Sequence, residues 1–170
     1  MKQKISKDMV PEGFSVTLAL VDALPVIFFG LASIVLGLSF SSIIFIIGAC
    51  ITFISGLVKV IWKIIVATKK KNIWAMFIQM RIVMPIGFIV MIVGFIIACF
   101  NENMNIFFNS LLNPLCIVFL ALGFIGMAMM VVFAIKLDSS DPKSNWIEQI
   151  CNGLSQACFF IGFLLAYLLK

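Results

Sequence analysis

SSIIFIIGACITFISGLVKVIWKIIVATKKKN, residues 41–72, decides the fold of this chain. From 42 to 67 the run is apolar apart from a few small polar residues and two lysines, Lys59 and Lys63. A helix rises about 1.5 Å per residue, so this run exceeds the roughly 20 residues that cross a hydrocarbon layer about 30 Å thick. It then stops on TKKKN, residues 68–72, where three consecutive lysines cannot enter hydrocarbon. Strict alternation of apolar and polar residues, as in a membrane β-strand, is absent. Backbone amides inside a bilayer must bond within their own segment, which requires a helix here.

Four further runs share this character, at 14–38, 73–100, 110–137 and 146–169. Across the 170 residues 64% are hydrophobic and 11% charged, against about 25% charged in soluble domains. The expected fold is therefore an all-α integral membrane protein, a bundle of five transmembrane helices. Residues 1–13 form a basic interfacial N-terminus and 14–170 a single transmembrane domain. The first run is too long for a signal-peptide core of about 7–15 residues and has no small-x-small cleavage site, so it is read as a retained span.

Orientation follows from the lysines. With the N-terminus in the cytoplasm, Lys2, Lys4, Lys7, Lys69, Lys70, Lys71, Lys136 and Lys143 all lie inside. The connections 39–41 and 101–109 then lie outside and carry no Lys or Arg. The positive-inside rule thus predicts a cytoplasmic N-terminus and an external C-terminus, with Lys170 alone outside. The segment 39–41 reads as a tight turn and 101–109, NENMNIFFN, as a polar loop. In 138–145, DSSDPKSN, Ser144 or Asn145 is the expected cap of the fifth span. The lysine triplet 69–71 also suits anionic lipid headgroups. The net charge of +5 carries no nucleic-acid signal, because no aromatic residues interleave with the basic ones for base stacking.

Charged side chains at membrane depth are costly and usually face a bundle interior or water. Asp22 lies about eight residues into the first span, roughly 12 Å deep, and Lys59 and Arg81 lie at the same depth. Lys63 and Glu148 are shallower, where snorkelling to the cytoplasmic surface competes with an inward role. Gly48, Thr52, Ser55, Lys59 and Lys63 form one stripe at helical period, as do Glu148, Asn152, Ser155 and Gln156. Ser15, Ala19 and Asp22 line up likewise, so the stripes of the first, second and fifth spans are expected to converge, with the uncharged fourth span peripheral. Pro25 and Pro85 each free a carbonyl one turn earlier, near Asp22 and Arg81.

Asp22, Lys59, Lys63, Arg81, Glu148, Asn152 and Gln156 are therefore the candidates for a ligand site or an ion-pair cluster. A structural salt bridge from Asp22 to Lys59 or Arg81 is one reading, and a site for solute, ion or proton the other. The chain has no histidine, which excludes a His base and His-ligated metal or haem. Cys50, Cys99, Cys116, Cys151 and Cys158 form no C-x-x-C pair and sit in apolar runs, as small hydrophobes do. No metal or other cofactor is expected. Neither H-E-x-x-H nor G-x-S-x-G occurs, and the one conceivable nucleophile pair is Ser55 with Lys59 a turn away.

Three function classes follow. The first is a small transporter or solute-binding membrane protein with a charged pocket in the cytoplasmic half of the bilayer. The second is a non-catalytic membrane subunit or interaction protein, as a homo-oligomer or beside a partner subunit. The third is a membrane enzyme acting on a lipid-anchored substrate. The excess of Lys over Arg, with much Ile and Asn, matches an AT-rich bacterial genome, so the expected location is a bacterial cytoplasmic membrane.

Overall fold

A computed structural model describes residues 15–137 and 141–170 of the chain; the basic segment 1–13 lies outside the described residues. Six α-helices make up the described structure. They are α1 (Val16–Ser39), α2 (Ile43–Lys69), α3 (Trp74–Ala98), α4 (Glu102–Leu111), α5 (Pro114–Lys136) and α6 (Pro142–Leu168). All except α4 are long and apolar enough to cross a membrane, which is the layout of a multi-pass membrane protein.

Side-chain oxygens start most of these helices. Ser15 Oγ accepts from Leu18 N–H, and Ser42 Oγ accepts from Phe45 N–H. Asp141 caps α6, its carboxylate accepting from the backbone of Lys143 and Ser144 and from the Ser144 hydroxyl. Neither Ser144 nor Asn145 is the cap, because Pro142 occupies the first turn, where a missing N–H costs nothing, and moves the start upstream. Lys70 ends α2 in the left-handed region at φ 49°, which turns the chain sharply into α3.

The segment 101–109 is not a loop. Asn101 caps α4, Glu102 sits at its positive end, and Met104 and Phe107, one turn apart, are buried. Asparagine-rich composition hides this amphipathic period. Phe107 meets the ring of Phe40 edge-on at 5.3 Å, so α4 covers the cluster where α1 turns into α2. The next span accordingly begins at Pro114, capped by Asn113, and not at 110.

The five long helices stand side by side in the order α3, α2, α1, α6, α5. Helix α1 is central, and α5 packs mainly on α6 at one end, as expected for the uncharged span. Since lipid is as apolar as leucine, helices associate through close packing and interhelical hydrogen bonds. Glycines supply the closeness. A Cβ on Gly48 would lie 2.6 Å from Met91 N and 2.7 Å from Gly87 O, and one on Gly94 would lie 2.7 Å from Phe45 Cα. These are backbone atoms, so the α2–α3 crossing cannot relax by turning a side chain. The Ser42 hydroxyl seals it by donating to Gly94 O at 3.0 Å. At the α1–α2 crossing, by contrast, glycines 30, 37 and 56 face the side chains of Phe53, Ile46 and Val26.

This difference is testable. Replacing a helical glycine by alanine gains about 0.5–1 kcal/mol from backbone entropy, whereas overpacking costs about 1–3 kcal/mol. Gly94→Ala is expected to lower the unfolding temperature in detergent. Gly153→Ala, whose added Cβ meets nothing closer than 3.7 Å, is expected to leave it level or raise it. Equal behaviour of the two variants would contradict the backbone-on-backbone crossing.

Candidate functional site

Asp22 lies on the α1 face toward α2 and is 1% exposed. An ionised carboxylate at such a place requires a cation, because removing it from water unpaired costs several kcal/mol even after relaxation. Helix α2 supplies two. Lys63 Nζ stands 2.7 Å from Asp22 Oδ2, and Lys59 Nζ stands 3.4 Å from the same oxygen. The lysines are four residues apart, so they rise from one face of α2 and straddle one carboxylate. They differ in surroundings: the Lys63 side chain is 10% exposed and that of Lys59 30%.

Lys63 is therefore the closer, more deeply buried partner, although its sequence position allowed snorkelling. Helix α2 continues to Lys69, two residues beyond the expected span end, and Lys63 is turned inward against Asp22. Arg81 is not a partner of Asp22. It is exposed on α3, with its guanidinium over the Phe77 ring at 4.7 Å from the centroid. The reason is helical phase. Gln79, two residues earlier and so on nearly the opposite face, points into α2. Its amide nitrogen donates to Ser55 O at 3.2 Å, while Ser55 Oγ donates to Gln79 Oε1 at 3.0 Å. With Gln79 clamped to α2, Arg81 must face away.

The same clamp removes the Ser55–Lys59 nucleophile reading. The Ser55 hydroxyl proton is held by Gln79 and the side chain is buried, whereas the Lys59 ammonium turns to Asp22.

Beside the ion pair lies a cavity of about 510 Å³. Helices α1, α2, α3 and α6 all contribute to its wall. Of these, α3–α2, α2–α1 and α1–α6 are packed pairs, whereas α3 and α6 are not neighbours in the row. The row is thus curved around the cavity, and α3 and α6 form its two lips. Asp22 and Lys59 are at the wall, and Lys63 is behind them. Asn152 and Gln156 face the cavity from α6, one turn apart. Gln156 Nε2 reaches Met127 Sδ on α5 at 3.5 Å, while the Asn152 side chain has no hydrogen-bond partner among the described residues. Glu148, half-buried a turn before Asn152, does not line the cavity.

Pro25 and Pro85 both line it, from α1 and α3. Each removes a donor, from Val21 O and Arg81 O respectively, while both helices run on through them. The rest of the α3 wall, Met80, Met84 and Phe88, carried no signal in the sequence, because an apolar residue facing a cavity looks like one facing lipid. Lys69, Lys70 and Lys71 are exposed at the end of α2, away from the cavity. Among the described residues no group of His, Cys, Asp or Glu side chains is placed to hold a metal ion.

Comparison with known proteins gives no relative from which a role could be carried over: no protein-family model, no curated protein and no solved structure matches the chain.

Proposed function

We propose that this chain is a small solute-binding membrane protein of the transporter kind, and that the cavity between α1, α2, α3 and α6 is its binding site. One observation carries the reading. A chain whose helices elsewhere close to backbone contact leaves about 510 Å³ open beside an ion pair at membrane depth. That volume lies within the roughly 300–1,000 Å³ of small-molecule sites, which are mostly apolar with a few convergent polar groups. Here Lys59, Asn152 and Gln156 converge. A purely structural ion pair needs no such space. The enzyme reading has less support, since Ser55 and Lys59, the one nucleophile pair the sequence offers, turn to Gln79 and Asp22 respectively.

In this reading the lysine-bearing ends face the cytoplasm, in a bacterial cytoplasmic membrane. The support is the lysine distribution: the end of α2 and the turn after it carry Lys69, Lys70 and Lys71, and the segment from Asn101 through α4 to Asn113 carries none. The cavity then opens in the cytoplasmic half of the bilayer, and Lys69, Lys70 and Lys71 lie at the level of anionic headgroups.

Both parts are open to experiment. In a cysteine-free background, Glu102→Cys is expected to react with an impermeant thiol reagent from outside, and Lys70→Cys only after permeabilisation; the reverse pattern would overturn the orientation. For binding, a panel of anionic, cationic and neutral organic solutes is screened by thermal shift in a neutral detergent. A solute at a hundredfold excess over its Kd adds about 2.7 kcal/mol of stability. At least one is expected to raise the unfolding temperature of the wild type but not of Met84→Trp, in which the cavity is filled. If no solute shifts the wild type, or Met84→Trp responds equally, the cavity is not a binding site.

A further inference from the structure

The charged groups of the cavity and most of its large apolar groups lie at different heights. Contacts between the helices set the levels: Gly56 faces Val26, Gly30 faces Phe53, and Gly87 faces Thr52. Since α1 and α2 are antiparallel, Lys59 is therefore level with Asp22, toward the lysine-bearing end. On α6, Gly153 lies beside Pro25, which puts Asn152 at nearly the same height. By the same correspondence Phe29 on α1 and Phe88 on α3 lie deeper, toward the middle of the span. Seven residues of helix separate Asp22 from Phe29, about 10 Å. The cavity is thus graded, with the charges and the Asn152 amide at one end and mainly aromatic and aliphatic surface at the other, where Thr52 and Gln156 are already bonded to Gly48 O and Met127 Sδ.

The sign of the polar end follows from the ion pair. One carboxylate faces two ammonium groups. Lys63, behind the wall, holds the shorter contact. Asp22 is 1% exposed and its charge is answered from within the protein, which leaves little for a cationic solute to find. Lys59 is the charged group with surface left to offer, and its contact to Asp22 is the longer one. Asn152 adds an amide with no partner among the described residues. An ammonium and an amide N–H₂ at one end of a cavity are donors for an anionic headgroup.

We infer that the cavity takes an amphipathic anion, a carboxylate or phosphate on a medium-length acyl chain, with its headgroup on Lys59 and Asn152 and its chain along Phe29, Met84 and Phe88. Because α3 and α6 are not packed neighbours in the row, such a molecule has a lateral way in between them from the bilayer. This rests on the cavity being a binding site, and it assigns the class of ligand.

The test uses the full-length protein in a neutral detergent, with octanoate, octyl phosphate, octylamine and octanol as probes and thermal shift as readout. Octanoate or octyl phosphate is expected to stabilise the wild type, and whichever stabilises more identifies the headgroup. Octylamine and octanol are expected to do so at least tenfold more weakly in apparent Kd. Lys59→Gln is expected to weaken anion binding about tenfold or more, and Lys59→Arg to restore most of it. Asn152→Leu keeps the ion pair intact, so it reports on the headgroup site even if Lys59→Gln unfolds. It is expected to weaken anion binding severalfold. Preference for octylamine or octanol would overturn the inference while leaving the cavity a binding site. Anion binding unaffected by Lys59→Gln, Asn152→Leu and Met84→Trp would overturn both.

Discussion

A carboxylate at membrane depth with almost no access to water must be answered by a cation. Much of this structure is arranged around that requirement. Asp22 sits on the central helix, and only a neighbour that turns its own polar stripe inward can neutralise it. Lysine at both 59 and 63 fixes the rotation of α2, since turning α2 away would leave one buried anion and two cations in a low dielectric. The same stripe of α2 carries Gly48, Thr52 and Ser55, which meet α3, so once the lysines are turned to Asp22 the side offered to α3 is fixed as well. The ion pair therefore sets the rotational phase, and the glycines set the distance.

The cavity is a consequence of those two constraints meeting. Backbone contact at Gly48, Gly87 and Gly94 draws α3 tightly to α2 on the α4 side of the molecule. Toward the lysine-bearing end the contact passes from glycines to side chains, the Ser55–Gln79 clamp. Helix α6 meets α1 through Gly153 without crowding and sends Asn152 and Gln156 toward the gap. Proline rings at 25 and 85 line it from two sides, where a missing N–H does least harm. Lys59 is held at its edge by a contact of 3.4 Å, near enough to share the charge of Asp22 and far enough to meet a ligand.

How legible this was in the sequence depends on which physical signal each residue carries. The five spans were plain, because hydrocarbon thickness imposes a length that soluble helices rarely keep free of charge. Asp22, Lys59, Asn152 and Gln156 were legible as stripes, because helical period places them on single faces. Lys63 was legible on the same stripe, but counting along the helix could not decide between snorkelling and the inward turn that brings its Nζ to 2.7 Å from Asp22 Oδ2. Arg81 matched Asp22 in depth but not in phase; depth comes from counting, whereas phase on an almost wholly apolar helix rests on one residue, Gln79. Helix α4 was hidden by its asparagines, which mark loops by composition while leaving Met104 and Phe107 a turn apart. The apolar cavity wall left no trace, for lipid and a greasy cavity ask for the same side chains.

The central claim is that Asp22 is held chiefly by Lys63, with Lys59 the looser partner. Double-mutant cycles on unfolding stability in detergent test it most directly, pairing Asp22→Asn with Lys63→Gln and, separately, with Lys59→Gln. Breaking one side of a buried pair costs about 3–5 kcal/mol, whereas an exposed pair is worth about 1 kcal/mol or less. The account predicts a coupling of a few kcal/mol between Asp22 and Lys63 and a clearly smaller one between Asp22 and Lys59. Coupling near zero in both cycles, or the larger value at Lys59, would contradict it.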